Sequence, residues 1–202
     1  MNKLALQFYS NLYGPEGGPW NLSARALKLD YLTTQFFENC FLPECKEGFE
    51  VCNVGIGAGV WDRFLSYSVG AKGGALTSVD IDDFCVEQLR ECLVFENHPY
   101  DVNLVCSDIT KMTGCDSRFD IVTMIGSTVL ESGHDSAIML DACNRIMKPG
   151  GKLLFMSFGV EESREVFESY CTEHNWKTET AYSEEIGSGS FMLMWAVRKS
   201  AR

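Results

Sequence analysis

From residue 49 onward the chain alternates short apolar runs of strand length with amphipathic stretches of helix length, and this alternation constrains the fold more than any other feature. Phe49–Val54, Ala75–Asp80, Val102–Cys106, Phe119–Ile125, Lys152–Phe158, Trp176–Tyr182 and Ser190–Val197 read as strands. Val60–Ser68, Asp82–Phe95, Asp135–Met147 and Glu161–His174 read as helices, with Cys85, Leu89, Cys92 and Leu93 on one face of the second. Lys148-Pro149-Gly150-Gly151 reads as the turn that closes the third. Strands separated by helices pair in parallel, because each must return to the same edge through a crossover, and the helices then cover both faces. The last link is different. Ser183–Gly189 is too short to hold a crossover helix, so the final two strands are expected to pair antiparallel. The fold class is therefore α/β, a mostly parallel sheet with a reversed last strand.

The region ahead of this pattern has another character. Gly14, Pro15, Gly17, Gly18 and Pro19 make a loop-rich arm that carries Phe8, Tyr9, Tyr13 and Trp20. A helix follows from Leu22 to about Phe41, with Leu22, Ala26 and Leu29 at helical spacing, Asn21 or Ser23 as cap, and Pro43 as stop. We divide the chain into residues 1–42, an arm and helix suited to act as a lid or cap, and residues 43–202, a ligand-binding domain. The arm reads equally well as a chain end anchored by its aromatics. A chain of 202 residues accommodates one such core.

A formal charge of −11 disfavours a nucleic-acid partner, since little binding energy is gained by releasing counterions from a polyanion. The opening MNKLALQFYSNLYG lacks the apolar centre and small-residue cleavage site of a signal peptide, and no apolar run reaches membrane-spanning length. A cytoplasmic protein with no membrane partner is expected. The nine cysteines include no Cys-x-x-Cys pair, so neither a structural zinc site nor an iron–sulfur site is expected. Cys52 and Cys106 fall in apolar strand runs, and Cys85 and Cys92 on an apolar helix face; all read as reduced core residues. Cys115, in a polar stretch, is the candidate for reactivity, with nothing beside it in sequence to activate it.

The candidate ligand site begins at Asn53-Val54-Gly55-Ile56-Gly57-Ala58-Gly59, which leaves the first strand and opens a helix. Ligands of open α/β sheets bind at such carboxyl ends, and amides at the helix start favour an anionic group. The third glycine comes one residue too early for a dinucleotide fingerprint, and no Gly-Lys-Ser/Thr follows to make a phosphate loop. Taken alone, the segment also fits a tight strand–helix turn without a ligand. The next two strand ends add to it. Asp80 lies 25 residues after Gly55, about where an acid reaches a ribose diol, and Asp82 or Asp83 already serves as the next helix cap. Asp108, in Ser107-Asp108-Ile109, can accept from an adenine amino group.

With Phe119-Asp120-Ile121-Val122 and Ile146-Met147-Lys148-Pro149-Gly150-Gly151-Lys152-Leu153 in order behind them, these segments resemble the class I S-adenosylmethionine-dependent methyltransferases over about residues 49–197. The resemblance implies a single Rossmann-like domain with a seven-stranded sheet in the order 3-2-1-4-5-7-6. It implies that Asn53, Gly55, Gly57 and Gly59 line the methionine portion of S-adenosylmethionine, and that Asp80 holds the ribose. Ile81 would pack on the adenine, Asp108 would meet its amino group with Ile109 alongside, and Gly126 would close the site after the fourth strand. The family usually carries Asp or Glu where this chain has Asn53, so here the strand end brings no charge to the cofactor's ammonium.

Methyl transfer from a sulfonium is an in-line displacement in which positioning does most of the work, and a general base is optional. Residues 125–135, after the fourth strand, should face the methyl group. Ser127 is a substrate-pocket candidate there, together with Tyr13 and Trp20 of the arm; Ser23 and Arg25 are further arm residues to test for contact. His134 is the candidate base in that loop, although a loop or helix-cap role suits it too. His98, in a turn, and His174, at a helix end, read as structural. The Asn-Pro-Pro-Tyr motif of amino-group methylases, the acidic cluster of aminopropyltransferases and the strand-end Asp of magnesium-dependent catechol methylases are all missing, so no metal is expected. The expected reaction is methyl transfer to an oxygen, nitrogen or carbon of a small molecule. A protein methyltransferase and a non-catalytic cofactor-binding partner subunit are the alternatives. With no insertion after the fifth strand or between the last two, a substrate cap has to come from residues 1–42, the strand-four loop or the second subunit of a homodimer.

Overall fold

The computed structural model describes residues 24–126, 136–159, 161–187 and 190–201. In chain order the elements are α1 (Ala24–Cys40), a single 3-10 turn (Leu42–Glu44), β1 (Glu50–Val54), α2 (Val60–Gly70), β2 (Ala75–Asp80), α3 (Asp83–Phe95), β3 (Val102–Cys106) and β4 (Phe119–Ile125). They continue with α4 (Ser136–Ile146), β5 (Met147–Gly159), α5 (Glu161–Glu173), β6 (Lys177–Gly187) and β7 (Ser190–Arg198). The strands form one seven-stranded sheet in the order β3-β2-β1-β4-β5-β7-β6. β1 to β5 are parallel, and β7 lies antiparallel to both β5 and β6. This is the order the resemblance implies. β1 and β2 diverge into α2 and α3, while β4 leads away on the other side, which places a topological switch beside β1.

Alternate residues of the inner strands feed separate apolar layers, because side chains along a strand point to opposite faces. Val51, Leu76, Ile121 and Leu154 meet α1 and α2 through Phe36, Phe37, Leu65 and Val69. Cys52, Val54, Val122 and Leu153 meet α4 and α5 through Leu140, Cys143, Ile146 and Phe167. A third group, Ile56, Cys85, Val86 and Leu89, seats α3 beside the end of β1. α1 is thus part of the wall of the domain, since Phe37 is fully buried there and stacks on Phe41.

Two boundaries differ from the sequence expectation. β5 starts at Met147, not at Lys152, because Met147 already pairs with Phe119 across a register shift that absorbs the expected turn, with Gly150 in the left-handed region at φ 76°. β6 runs to Gly187, not to Tyr182, because Ser183, Glu184 and Glu185 pair opposite Leu193, Met192 and Phe191. An edge strand tolerates such polar residues, so polarity there does not end the ladder. Two cysteines also differ. Cys106 is exposed, because β3 is an edge strand with one open face, and Cys115 is buried in the apolar layer under Phe119. Among the described residues no helix is long and apolar enough to cross a membrane.

Candidate functional site

The carboxyl ends of β1, β2, β3 and β4 lie side by side, and the chain leaves each through residues singled out in the sequence. After β1 the backbone turns through Gly55, Gly57 and Gly59 at φ 90°, 53° and 73°, a region that a side chain disfavours. The Gly55 amide donates to the Val79 carbonyl at 2.8 Å, which pins the loop to β2. Gly59 is the N-cap of α2 and has no side chain to offer its first amides. A Cβ at Gly59 would stand 3.2 Å from Leu89 Cδ1, so α3 closes tightly over the helix start.

Asp80, the last residue of β2, reaches back to this loop. Its Oδ2 accepts from the Ile56 and Gly57 amides at 2.7 and 3.1 Å, and its Oδ1 accepts from the Asp82 amide at 2.9 Å. A carboxylate offers roughly four acceptor positions, so Asp80 clamps the glycine loop and keeps about one position open. Asp82 caps α3 by accepting from the Phe84 amide at 3.0 Å, which relieves Asp80 of that task. Ile81, half-buried, follows Asp80 directly.

The Ser107 amide donates to the Asp80 carbonyl at 2.8 Å, so the end of β3 lies against the end of β2. Asp108 folds into a local turn, with Oδ1 accepting from the Thr110 amide and hydroxyl at 2.9 and 2.7 Å and Oδ2 paired with Lys111 Nζ at 3.0 Å. Ile109 points into the core with Cys115 and Phe119, and its carbonyl accepts from Arg145 at 3.0 Å. At the end of β4, Gly126 turns at φ 83° and its amide donates to the Met156 carbonyl. The structure therefore brings Asn53, Gly55, Gly57, Gly59, Asp80, Ile81, Asp108 and Gly126 to one edge of the sheet, with Ile109 beneath it. Tyr13, Trp20, Ser23, Ser127, His134 and the Arg25 side chain lie outside the described residues. His98 meets Ser66 Oγ through Nε2 at 2.8 Å and packs at a tilt against Tyr67, and His174 stacks on Tyr170, both away from this edge.

Sequence reasoning missed a layer of polar groups directly under the loop. Asn53 pairs in register with Ser78 on one side and Thr123 on the other, which makes a polar row across β2, β1 and β4. All three are buried, and α2 covers them with Trp61 and Asp62. The Thr123 hydroxyl donates to Asn53 Oδ1 at 2.8 Å, and the Trp61 indole N–H donates to Thr123 Oγ1 at 3.2 Å. Both amide protons of Asn53 are used, one to the Gly55 carbonyl at 2.9 Å and one to Asp62 Oδ1 at 2.8 Å. Asp62 is 1% exposed; its Oδ2 and the Ser78 hydroxyl are buried beside one another, and neither has another hydrogen-bond partner. Burial pushes its carboxyl up to about 7; the Ser78 hydroxyl and the Asn53 amide act against that rise, while the Asp80 charge adds to it. A signal was present in the sequence, because Asp62 shares the sheet-facing stripe of α2 with Leu65, Ser66 and Val69.

Comparison with known proteins gives the site a family. The methyltransferase domain family matches residues 51–151, half of the chain. A ubiquinone biosynthesis O-methyltransferase of Coxiella burnetii is 32% identical over 109 residues, 54% of this chain and 43% of that protein. The chain thus spans less than half the length of that relative. Among solved structures, the [4+2]-cyclase SpnF superposes with a TM-score of 0.74 at 14% identity, covering 99% of this chain and 94% of that one. N-methyltransferase NodS from Bradyrhizobium japonicum WM9, solved with S-adenosyl-L-homocysteine, superposes with a TM-score of 0.71 at 13% identity, covering 96% and 98%. These two likenesses establish the fold, and the matched segment runs from β1 into the start of β5. This chain belongs to the methyltransferase domain family.

Proposed function

We propose that the chain binds S-adenosylmethionine across the carboxyl ends of β1, β2 and β3 and transfers its methyl group to a small molecule. The observation that carries this reading is the convergence of the glycine loop, Asp80 and Asp108 on one edge, where three chemically different parts of an adenosyl amino acid can be met at once. The carbonyls of Gly55 and Gly57 suit the ammonium of the amino-acid end, since the three glycine amides already donate to Val79, Asp80 and Ile56. The remaining acceptor position of Asp80 suits a ribose hydroxyl, and Ile81 offers an apolar face to the adenine. Asp108, with Ile109 packed beneath, suits the adenine amino group. Gly126 leads into residues 127–135, where Ser127 and His134 are candidates to meet the acceptor, and Tyr13 and Trp20 are candidates to cover it from the arm ahead of α1, since α1 itself is fixed in the core.

Bound here, the cofactor supplies an activated methyl on a sulfonium leaving group. The protein's share is to hold the acceptor atom in line with that methyl and exclude water, which accounts for several kcal/mol of barrier. Similarity to a ubiquinone-biosynthesis O-methyltransferase puts an oxygen acceptor first among those to test.

Calorimetric titration with S-adenosylmethionine and S-adenosylhomocysteine tests the binding. Tritiated methyl transfer into a metabolite extract and a protein extract tests the chemistry. Saturable binding with label in small molecules is the expected outcome. Label in protein alone moves the substrate to a polypeptide, binding without transfer makes the chain a partner subunit, and no binding removes the reading.

A further inference from the structure

The buried carboxyl of Asp62 lies beside Asn53, at the strand end where the methyltransferase resemblance implies an acid. An acid at the end of β1 would place a negative charge beside the cofactor's ammonium. This chain has Asn53 there, and Asn53 cannot take over by direct contact. Asn53 is fully buried, both its amide protons are committed to Gly55 and Asp62, and its oxygen accepts from Thr123. What Asn53 does instead is join a carboxyl on α2 to the carbonyl of the first loop glycine.

Building on the cofactor reading above, we infer that Asp62 supplies the negative charge for the amino-acid end of the cofactor, acting through Asn53 and the Gly55 carbonyl as a positioning residue. Three observations carry this. Asp62 is 1% exposed, and beyond Asn53 only the buried Ser78 hydroxyl, which has no other partner, stands beside its carboxyl, so the acid is served by neutral groups alone. Its Oδ1 is 2.8 Å from the same Asn53 nitrogen that stands 2.9 Å from the Gly55 carbonyl, so one amide group couples charge on Asp62 to the carbonyl of the first loop glycine. No ion pair among the described residues neutralises it. The groups that face it are Asn53 from β1 and Ser78 and the Asp80 carboxylate from β2, while the Cys52 thiol lies on the opposite face of β1. α1 and α3 bring Phe37 against Trp61 and Leu89 against Gly59 beside it. A cation arriving at the loop would therefore be the counter-charge this carboxyl lacks.

The consequence is proton-linked binding. Burial holds the Asp62 carboxyl at about 7 without ligand, so it is half-protonated near neutrality. A cationic ligand favours the ionised form, so binding releases a proton. If only the ionised form binds well, Kd for S-adenosylhomocysteine should fall about tenfold between pH 6 and pH 8. The experiment is calorimetric titration of the whole chain across that range in buffers of different ionisation enthalpy, with the wild type, Asp62→Asn and the reciprocal exchange Asn53→Asp/Asp62→Asn. The ligand's own amine titrates equally in every variant, so differences between slopes belong to the protein. Asp62→Asn should bind about tenfold more weakly at pH 8, with the protein's share of the proton release gone. The exchange, which moves the charge back to the strand end, should recover most of that loss and confirms that the fold tolerates the change. Methylthioadenosine, which lacks the amino-acid end, should bind wild type and Asp62→Asn alike. Equal slopes and affinities in wild type and Asp62→Asn would overturn the inference while leaving the cofactor reading intact. Failure of the wild type to bind S-adenosylhomocysteine at any pH would remove both.

Discussion

Asp80 shows how one residue holds a loop while keeping an acceptor position for the proposed ligand. Two loop amides and the Asp82 amide converge on its carboxylate, and hydrogen bonds to a charged acceptor are worth about 1.5–3 kcal/mol each. Asp80→Ala should therefore lower stability by about 2–3 kcal/mol in denaturant unfolding and weaken cofactor binding at least about a hundredfold in calorimetry. Retained affinity would mean that the ribose is held elsewhere. Gly59→Ala is the complementary change. It places a side chain at φ 73° with its Cβ 3.2 Å from Leu89 Cδ1, so a loss of about 1–2 kcal/mol is expected by thermal unfolding. Asp80 and the glycines were legible in the sequence, because strand ends followed by glycine or acid carry a positional meaning. The clamp between them was not, since it depends on the direction Asp80 takes once β2 lies beside β1. Asp62 escaped for a related reason. A single acid in a helix reads as surface until the face of that helix is known.

At the level of elements, the strand succession and the reversed β7 followed from hydrophobic periodicity and one short link. The extra length of β5 and β6 did not, because pairing partners decide where a ladder stops. The same limit hid what fastens α1 and the 3-10 turn to the far side of the sheet. Lys152 on β5 is buried, and its ammonium donates to the Cys40 carbonyl at 3.0 Å and pairs with Glu44 at 2.7 Å and Glu179 at 2.8 Å. It also lies 5.6 Å from the centre of the Phe41 ring. Arg198 on β7 holds the same two carboxylates from the other side, so the cluster ties the 3-10 turn to β5, β6 and β7. Replacing Lys152 by Met removes the buried cation and leaves Arg198 to compensate the acids. A loss of about 1–3 kcal/mol is expected, less than for a fully orphaned buried charge. Amide exchange should localise it, with protection falling at the end of α1 and in β6 before it falls in β1 or β2.

Over the whole molecule, the two classes of perturbed carboxyl act on stability in opposite directions. The hydrogen bonds from Lys152 and Arg198 hold Glu44 below its ordinary value. Burial pushes Glu179 up, but the same two cations outweigh it and the net shift is downward. A carboxyl held low in the folded state contributes stability that is present above its unfolded value and is lost as pH falls through the folded one, so these two set an acid limb below about pH 4.5. Asp62 works the other way. Its folded value of about 7 exceeds the ordinary 3.8, so the unfolded chain ionises first. The stability tied to its proton is complete below pH 3.8 and is lost as pH rises toward 7. Burial raises Asp30 and Asp82 in the same sense. The ligand-free protein should therefore be most stable near about pH 5 and weaken toward neutrality, with up to about 4 kcal/mol at stake at Asp62. Unfolding in urea at intervals from pH 4 to pH 8 tests this. The wild-type curve should descend on its neutral side, Asp62→Asn should hold level there, and the two should converge near pH 4. If Asp62→Asn proves less stable than the wild type at pH 8, Asp62 is a stabilising member of its network. A gain at pH 8 instead identifies it as a charge kept inside the domain at the expense of stability, to be neutralised when a cation binds at the glycine loop.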